Sequence, residues 1–239
     1  YKIKYYSGPP SLFDFYNIES QINDALKRKV QLKSGGSIII ETAEAMTVID
    51  VNTGKYIGKN NQEDTILKTN MEAAEEISRQ LRLRNIGGLI VIDFIDLQSY
   101  ANKQKLLEHF EKSLKEHDRF QSVVLKISEF GLVQMTRKRS GKTLMRQLTR
   151  ECPTCEGTGQ IKSDRTICYK ILRQLEENLT QNQIKPIKNI QLFLHPEIFN
   201  YLTSVEYDAI LDFEKSCKAQ FTIITDKGLD INSYKIVID

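Results

Sequence analysis

The sequence of 239 residues predicts a layered α/β (or α+β) domain with a mixed sheet, then a short cysteine-bearing connector and a smaller α/β unit. Three observations carry this. Stretches with helical spacing alternate with β-rich runs, the pattern of helices layered on a sheet. One run, Leu89-Ile90-Val91-Ile92-Asp93-Phe94-Ile95, is apolar apart from a single acid, too continuous for a half-exposed strand and typical of a central one. Finally, Cys152-Pro153-Thr154-Cys155 divides a longer stretch of this character from a shorter one. A hydrophobic fraction of 40% and a charged fraction of 27% are those of an ordinary globular chain. No apolar run approaches the ~20 residues of a membrane span, and no signal peptide opens the chain. It is read as soluble and intracellular. Because it begins on Tyr1, with residues 2–6 resembling a strand in progress, it is also read as part of a longer protein.

Taken in order, Gly8-Pro9-Pro10 ends the opening strand, and Ile18, Ile22, Ala25 and Leu26 fall at helical spacing within 14–28. A Lys-rich stretch reaches the turn Ser34-Gly35-Gly36, then a strand over 37–41, and 42–46 turns the chain back into a strand over 47–52. That makes an antiparallel hairpin. Thr53 opens a polar loop running to Asn61, placed to meet a charged ligand. Thr69 with Glu72 three residues later reads as a capping box. It would open a helix with Ala73, Ala74, Ile77 and Leu81 on one face and Arg79, Arg82 and Arg84 on the other, stopped by Gly87-Gly88. A helix over 103–116 packs through Leu106, Leu107, Phe110 and Leu114, and strands over 123–127 and 132–136 join at Gly131. Residues 137–150 read as an exposed basic connector. The second unit follows as a helix (166–179), a strand (189–194), helices (196–202 and 207–217) and strands (220–225 and 234–238), without a cluster of titratable groups.

Chemistry concentrates in two places. Asp50 and Asp93 each stand in a β-rich run, where an ionised carboxylate costs several kcal/mol unless a partner offsets it. Asp50 and Asn52 point the same way along one strand, and Asp93 joins them if the strands are neighbours. Two readings fit. Each Asp ends a strand and caps the next turn, or the acids converge with the amide on a hard cation, most naturally Mg²⁺. From Arg119 to Arg150 there are eight Lys or Arg (Arg119, Lys126, Arg137, Lys138, Arg139, Lys142, Arg146, Arg150) against one acid, Glu129, which is either a phosphate-backbone footprint or a solvated face.

The run Cys152-Pro153-Thr154-Cys155-Glu156-Gly157-Thr158-Gly159 supplies two thiolates on a tight turn, half of a tetrahedral zinc site. Cys168 and Cys217 read as buried thiols in helices, and His109, His117 and His195 are scattered. The economical completion is the same pair from a second subunit, so that zinc links a dimer. A thioredoxin-like redox pair and one unit of a J-protein chaperone zinc repeat are the competing readings.

In their order along the chain, several of these motifs resemble the ribonuclease E/G family. They are Ser34-Gly35-Gly36-Ser37 leading into Val48-Ile49-Asp50-Val51-Asn52, Arg79-Gln80-Leu81-Arg82-Leu83-Arg84, Gly87 through Asp96, Phe130-Gly131-Leu132-Val133, and the cysteine run. The resemblance makes the metal reading of the acids the leading one. It implies an endoribonuclease acting on single-stranded, often A/U-rich RNA in RNA processing and decay, leaving a 5′ phosphate and a 3′ hydroxyl. Asp50 and Asp93 would be Mg²⁺ ligands and Asn52 would orient a carboxylate or the scissile phosphate. Arg84, Arg137, Lys138, Arg139 and Lys142 would contact RNA. Cys152 and Cys155 would hold a Zn²⁺ shared between two subunits of a homodimer, with a homotetramer beyond it. Residues 1–25 would be the tail of a ribonuclease-H-like subdomain, 26–147 a deoxyribonuclease-like catalytic domain, 148–161 the zinc link and 162–239 a small assembly domain. The compartment implied is the bacterial cytoplasm, or the plastid stroma for an organellar protein. The family's RNA-binding barrel and most of its 5′-end pocket would lie ahead of Tyr1. Phe120 and Gln121 depart from the pattern, standing where relatives offer a basic residue to a 5′ phosphate.

Overall fold

A computed structural model describes residues 3, 5–54, 62–181, 189–217 and 220–238. The chain forms two compact units, Tyr1–Thr149 and Arg150–Asp239. In the first, α1 (Leu12–Phe15) and α2 (Ile18–Leu26) lead into β1 (Lys29–Gln31), β2 (Ser37–Thr42) and β3 (Met46–Asn52). Then come α3 (Gln62–Leu83), β4 (Gly88–Asp93), α4 (Tyr100–His117), β5 (Ser122–Val124), β6 (Leu132–Arg137) and α5 (Leu144–Leu148). Among the described residues six strands make one mixed sheet in the order β1-β2-β3-β4-β6-β5, with β3 and β4 parallel and the other neighbours antiparallel.

Strand alternation decides where the core sits. Ile38, Ile40, Ile49, Val51, Ile90, Ile92, Val133 and Met135 point to one face, where Ala73, Ala74, Ile77 and Leu81 of α3 and Leu106, Phe110 and Leu114 of α4 cover them. Phe94 meets Phe110 edge to face, ring centroids 6.0 Å apart. The other face carries Met46, Val48, Asp50 and Asn52 of β3 and Leu89, Val91 and Asp93 of β4. Met46, Val48 and Leu89 there are exposed.

The second unit holds α6 (Asp164–Gln181), β7 (Asn189–Leu194), α7 (Pro196–Ser204), α8 (Tyr207–Cys217), β8 (Gln220–Thr225) and β9 (Tyr234–Ile238). Its sheet, in the order β8-β7-β9, has a parallel and an antiparallel pair. Ile190, Leu192 and Leu194 of the central strand pack against Ile167, Ile171 and Leu175 of α6 and Ile198 and Leu202 of α7. Cys168 lies in this core, where burial first, then the charges of Glu206 and Asp164, push its thiol up to about 11.

The mixed α/β architecture agrees with the sequence reading, and four local expectations change. Residues 5–10 form no strand. β1 was hidden in the Lys-rich stretch. Thr69 and Glu72 do not cap α3, which begins at Gln62: Thr69 donates back to the Thr65 carbonyl, and Glu72 binds another loop. The basic connector is not wholly exposed, because Arg137 is buried in β6. The polar loop expected after Thr53 lies, from residue 55 on, outside the described residues, as does the side chain of Cys217. Among the described residues no helix is long and apolar enough to cross a membrane.

Candidate active site

The parallel register of β3 and β4 sets Asp50 directly beside Asp93. Ladder partners send their side chains to the same side. With Ile49 and Ile92 turned into the helices, the two acids share the open face. Both stand near the carboxyl ends of their strands, the edge of an open α/β sheet where ligands are commonly held. Asn52, on the same face, donates from Nδ2 to Asp50 Oδ2 at 2.8 Å and fixes that carboxylate. Among the described residues neither acid is in an ion pair.

Partial burial first, then the negative charges of Asp50 and Asp96, push the Asp93 carboxyl above its ordinary pKa. Among the described residues no group of three or more His, Cys, Asp or Glu is placed to hold an ion alone. Two repelling carboxylates with an orienting amide nonetheless fit Mg²⁺, which takes one or two protein carboxylates and completes its shell with phosphate oxygens and water. The raised pKa carries a sign. Stability is greatest while Asp93 is protonated and falls as pH rises from the unfolded value through the folded one. Asp93→Asn is therefore expected to raise Tm in EDTA at pH 7 by about 1–3 °C. It should also abolish any stabilisation that added Mg²⁺ gives the parent chain. Thermal melts with and without Mg²⁺ read both effects, and a lower Tm for the variant in EDTA would contradict repulsion at the pair.

Helix α3 anchors the loops around this edge. The buried Asn70 donates from Nδ2 to the Ile95 carbonyl (2.7 Å) and accepts from the Ile95 N–H at Oδ1 (3.0 Å), so the chain leaving Asp93 is clamped. Glu63 accepts from the Ser99 N–H (2.8 Å) and from Asn102 Nδ2 (3.0 Å). Glu72 accepts from the N–H groups of Lys33 and Ser34 in the β1–β2 turn. That turn meets the residues after β3 so closely that a Cβ on Gly54, whose φ is +69°, would overlap the Gly35 carbonyl. The sequence reading missed these anchors. The one signal was an amide, Asn70, on the apolar stripe of a helix.

The structure revises the expected RNA contacts. Arg137 is fully buried. Its Nε and Nη2 bind the equally buried Asp118, the latter to Oδ1 at 3.0 Å, Nη1 donates to the Ile86 carbonyl at 2.6 Å, and the Phe120 ring lies 4.9 Å from its guanidinium carbon. A guanidinium so enclosed cannot reach a phosphate. Arg84 is buried too, donating from Nε to Gln80 Oε1 at 2.7 Å. Lys138, Arg139 and Lys142 are exposed. They follow Arg137, which pairs with Gly88 at the opposite end of β4 from Asp93, a strand length of about 17 Å. The structure thus gathers Asp50, Asn52 and Asp93 and keeps the basic cluster apart from them.

Residues 1–140 match the family model described as Ribonuclease E/G family. The chain belongs to that family. Residues 151–238 of this ribonuclease E/G chain match a second model, RNase E/G, Thioredoxin-like domain. Ribonuclease G of Escherichia coli (strain K12) is 47% identical over 174 residues, covering 73% of this chain and 35% of the relative. Ribonuclease G of Haemophilus influenzae is 40% identical over 238 residues, 99% of this chain and 48% of the relative. Ribonuclease E of Buchnera aphidicola subsp. Schizaphis graminum is 42% identical over 223 residues, 93% and 23%. The ribonuclease E/G chain therefore spans between about a quarter and a half of the length of these curated relatives.

In the second unit of this ribonuclease E/G chain, Cys152 and Cys155 sit on one tight turn. The Glu156 N–H donates to the Cys152 carbonyl (2.8 Å) and the Thr158 N–H to the Cys155 carbonyl (2.9 Å), with Glu156, Gly157 and Gly159 at positive φ. Backbone N–H groups of Cys155 and Thr154, then the Cys155 thiol, stabilise the Cys152 thiolate and lower its pKa. Two cysteine sulfurs on one tight turn fit one half of a Zn²⁺ site.

Proposed function

We propose that this chain is the catalytic part of a metal-dependent endoribonuclease that cuts single-stranded RNA during RNA processing and decay. The observation that carries the reading is the in-register pair Asp50 and Asp93, without a cation partner among the described residues. The relatives named above, ribonuclease G and ribonuclease E, support RNA as the substrate. Asp50 and Asp93 would hold Mg²⁺, which when bound supplies Lewis acidity at the scissile phosphate and lowers the pKa of an attacking water. Asn52 fixes the Asp50 carboxylate, and Asn70 fixes the loop behind Asp93. In-line attack forms a bond from the water oxygen to phosphorus and breaks the bond to the 3′ oxygen, which takes a proton. The products are a 5′ phosphate and a 3′ hydroxyl. Lys138, Arg139 and Lys142, exposed at the far end of β4, would track the backbone several nucleotides away. Residues 26–147 would be the catalytic domain, 148–161 the zinc link, 162–239 the assembly domain and 1–25 the tail of a ribonuclease-H-like part. The bacterial cytoplasm is the compartment that fits the bacterial relatives. A fluorogenic single-stranded RNA, incubated with the chain in Mg²⁺ or in EDTA, tests the reading; cleavage that persists in EDTA contradicts it.

A second reading, a module that binds RNA and dimerises without cutting, draws on the distance between the basic cluster and the acids. It predicts RNA binding with no cleavage in the same assay. In both readings Cys152 and Cys155 supply half of a zinc site completed by a second copy of the chain. The expected result is about half an equivalent of tightly bound zinc per chain. Light scattering should show the mass halving on chelation, and a monomer before and after chelation would remove the shared metal.

A further inference from the structure

The turn between β5 and β6 presents an aromatic ring that neither the core nor the acid pair uses. Phe130 is 87% exposed. Its backbone is nevertheless held firmly. The Gly131 N–H donates to the Ser128 carbonyl (3.0 Å), the Ser128 N–H to the Leu132 carbonyl (2.9 Å), and the Leu132 N–H to Ser128 Oγ (3.1 Å). Gly131, at φ +82°, sits against Asp96, with Oδ1 only 3.1 Å from where a Cβ would stand. Leu132 is the cross-strand partner of Asp93, so the Phe130 and Asp93 Cα atoms are no more than about 13 Å apart. The ring therefore stands on the sheet edge that holds the acids, on a turn that also carries exposed Lys126, with Glu129 beside it. Tyr100, exposed as well, belongs instead to the start of α4 and not to the strand that pairs with Asp93. A solvent-facing aromatic on a firmly held turn is the kind of surface on which unpaired bases stack, and it is sequence-tolerant because every base offers a π face.

We propose that Phe130 is a stacking platform for one nucleobase of the single-stranded RNA whose phosphate lies at Asp50 and Asp93. The proposal rests on the endoribonuclease reading and adds a base subsite to it. The ring takes no part in bond making. It fixes the nucleotide beside the scissile phosphate and so lowers KM.

The test uses short single-stranded RNAs carrying 2-aminopurine at successive positions across the cleavage site, bound in EDTA so that fluorescence reports stacking without turnover. The chain should quench one position. Phe130→Trp should keep that quench, whereas Phe130→Ala and Phe130→Leu should lose it. In Mg²⁺, Phe130→Ala should raise KM about tenfold with kcat within about twofold. Far-UV circular dichroism should not change, since the ring contributes no packing. If the parent chain cuts RNA while Phe130→Ala alters neither quench nor KM, stacking is overturned and the nuclease reading stands. If the parent chain neither binds nor cuts RNA, both fall together. A Phe130→Ala chain that melts several degrees lower with unchanged quench would show the ring to be structural and overturn the proposal.

Discussion

Asp50→Asn and Asp93→Asn are each expected to reduce cleavage of single-stranded RNA by about a thousandfold or more, while the chain stays folded. Asn keeps the size and shape of Asp and removes only its charge. At a site where negative charge builds on the phosphate oxygens in the transition state, the loss of one stabilising group is worth about a hundred- to a thousandfold. Losing a ligand also weakens the ion that both acids would share. Asn52→Ala removes the hydrogen bond to Asp50 but no charge, so its effect should be smaller, about ten- to a hundredfold. Cleavage time courses in saturating Mg²⁺, read beside thermal melts, separate chemistry from unfolding. A folded Asp93→Asn chain with parental activity would remove Asp93 from the reaction.

The second large effect concerns stability. Asp118→Ala is expected to destabilise the first unit by about 3–5 kcal/mol, because Arg137 is left charged and unpaired in a site closed to water. For a unit of this size that is a fall in Tm on the order of 10 °C. Replacing both partners, Asp118→Leu with Arg137→Met, should recover most of the loss, since an apolar pair carries no desolvation penalty. The pair also sets an acid limit. Burial opposes the Asp118 carboxylate, but hydrogen bonds from Arg137 and the Phe120 N–H, with the Arg137 charge, outweigh it and hold the pKa below the usual range. Its stabilisation is present above the unfolded carboxylate pKa of about 3.9 and fades as pH falls through the folded value. In urea titrations from about pH 2 to about pH 7, the acid limb should be shallower in the double variant. An unchanged limb would mean that the pair does not govern it.

The acids and the buried cation show what a sequence reveals about such a site and what it withholds. Asp50 and Asp93 were legible because a carboxylate inside a β-branched run contradicts its surroundings, and that contradiction is local. The alternation of strands and helices was legible for the same reason: spacing is written within a dozen residues. Arg137 was misread because a cation among Lys138, Arg139 and Lys142 looks like surface, and its burial depends on Asp118 and Phe120, which lie on another segment. Asn70 and Glu72 went unrecognised as loop anchors because their partners are 25 and 38 residues away in sequence. The onset of α3 was placed late because a Thr and a Glu at cap spacing occur equally well inside a helix.

The alignment of β3 with β4 has a consequence for how variants should be interpreted. Side chains alternate along a strand, so a slip of one residue would turn Asp93 inward and Ile92 outward, spoiling the interior and separating the acids in a single step. Misalignment and loss of cooperative melting are therefore inseparable in this sheet. A variant that melts as sharply as the parent has kept this register, with positions 50 and 93 still side by side.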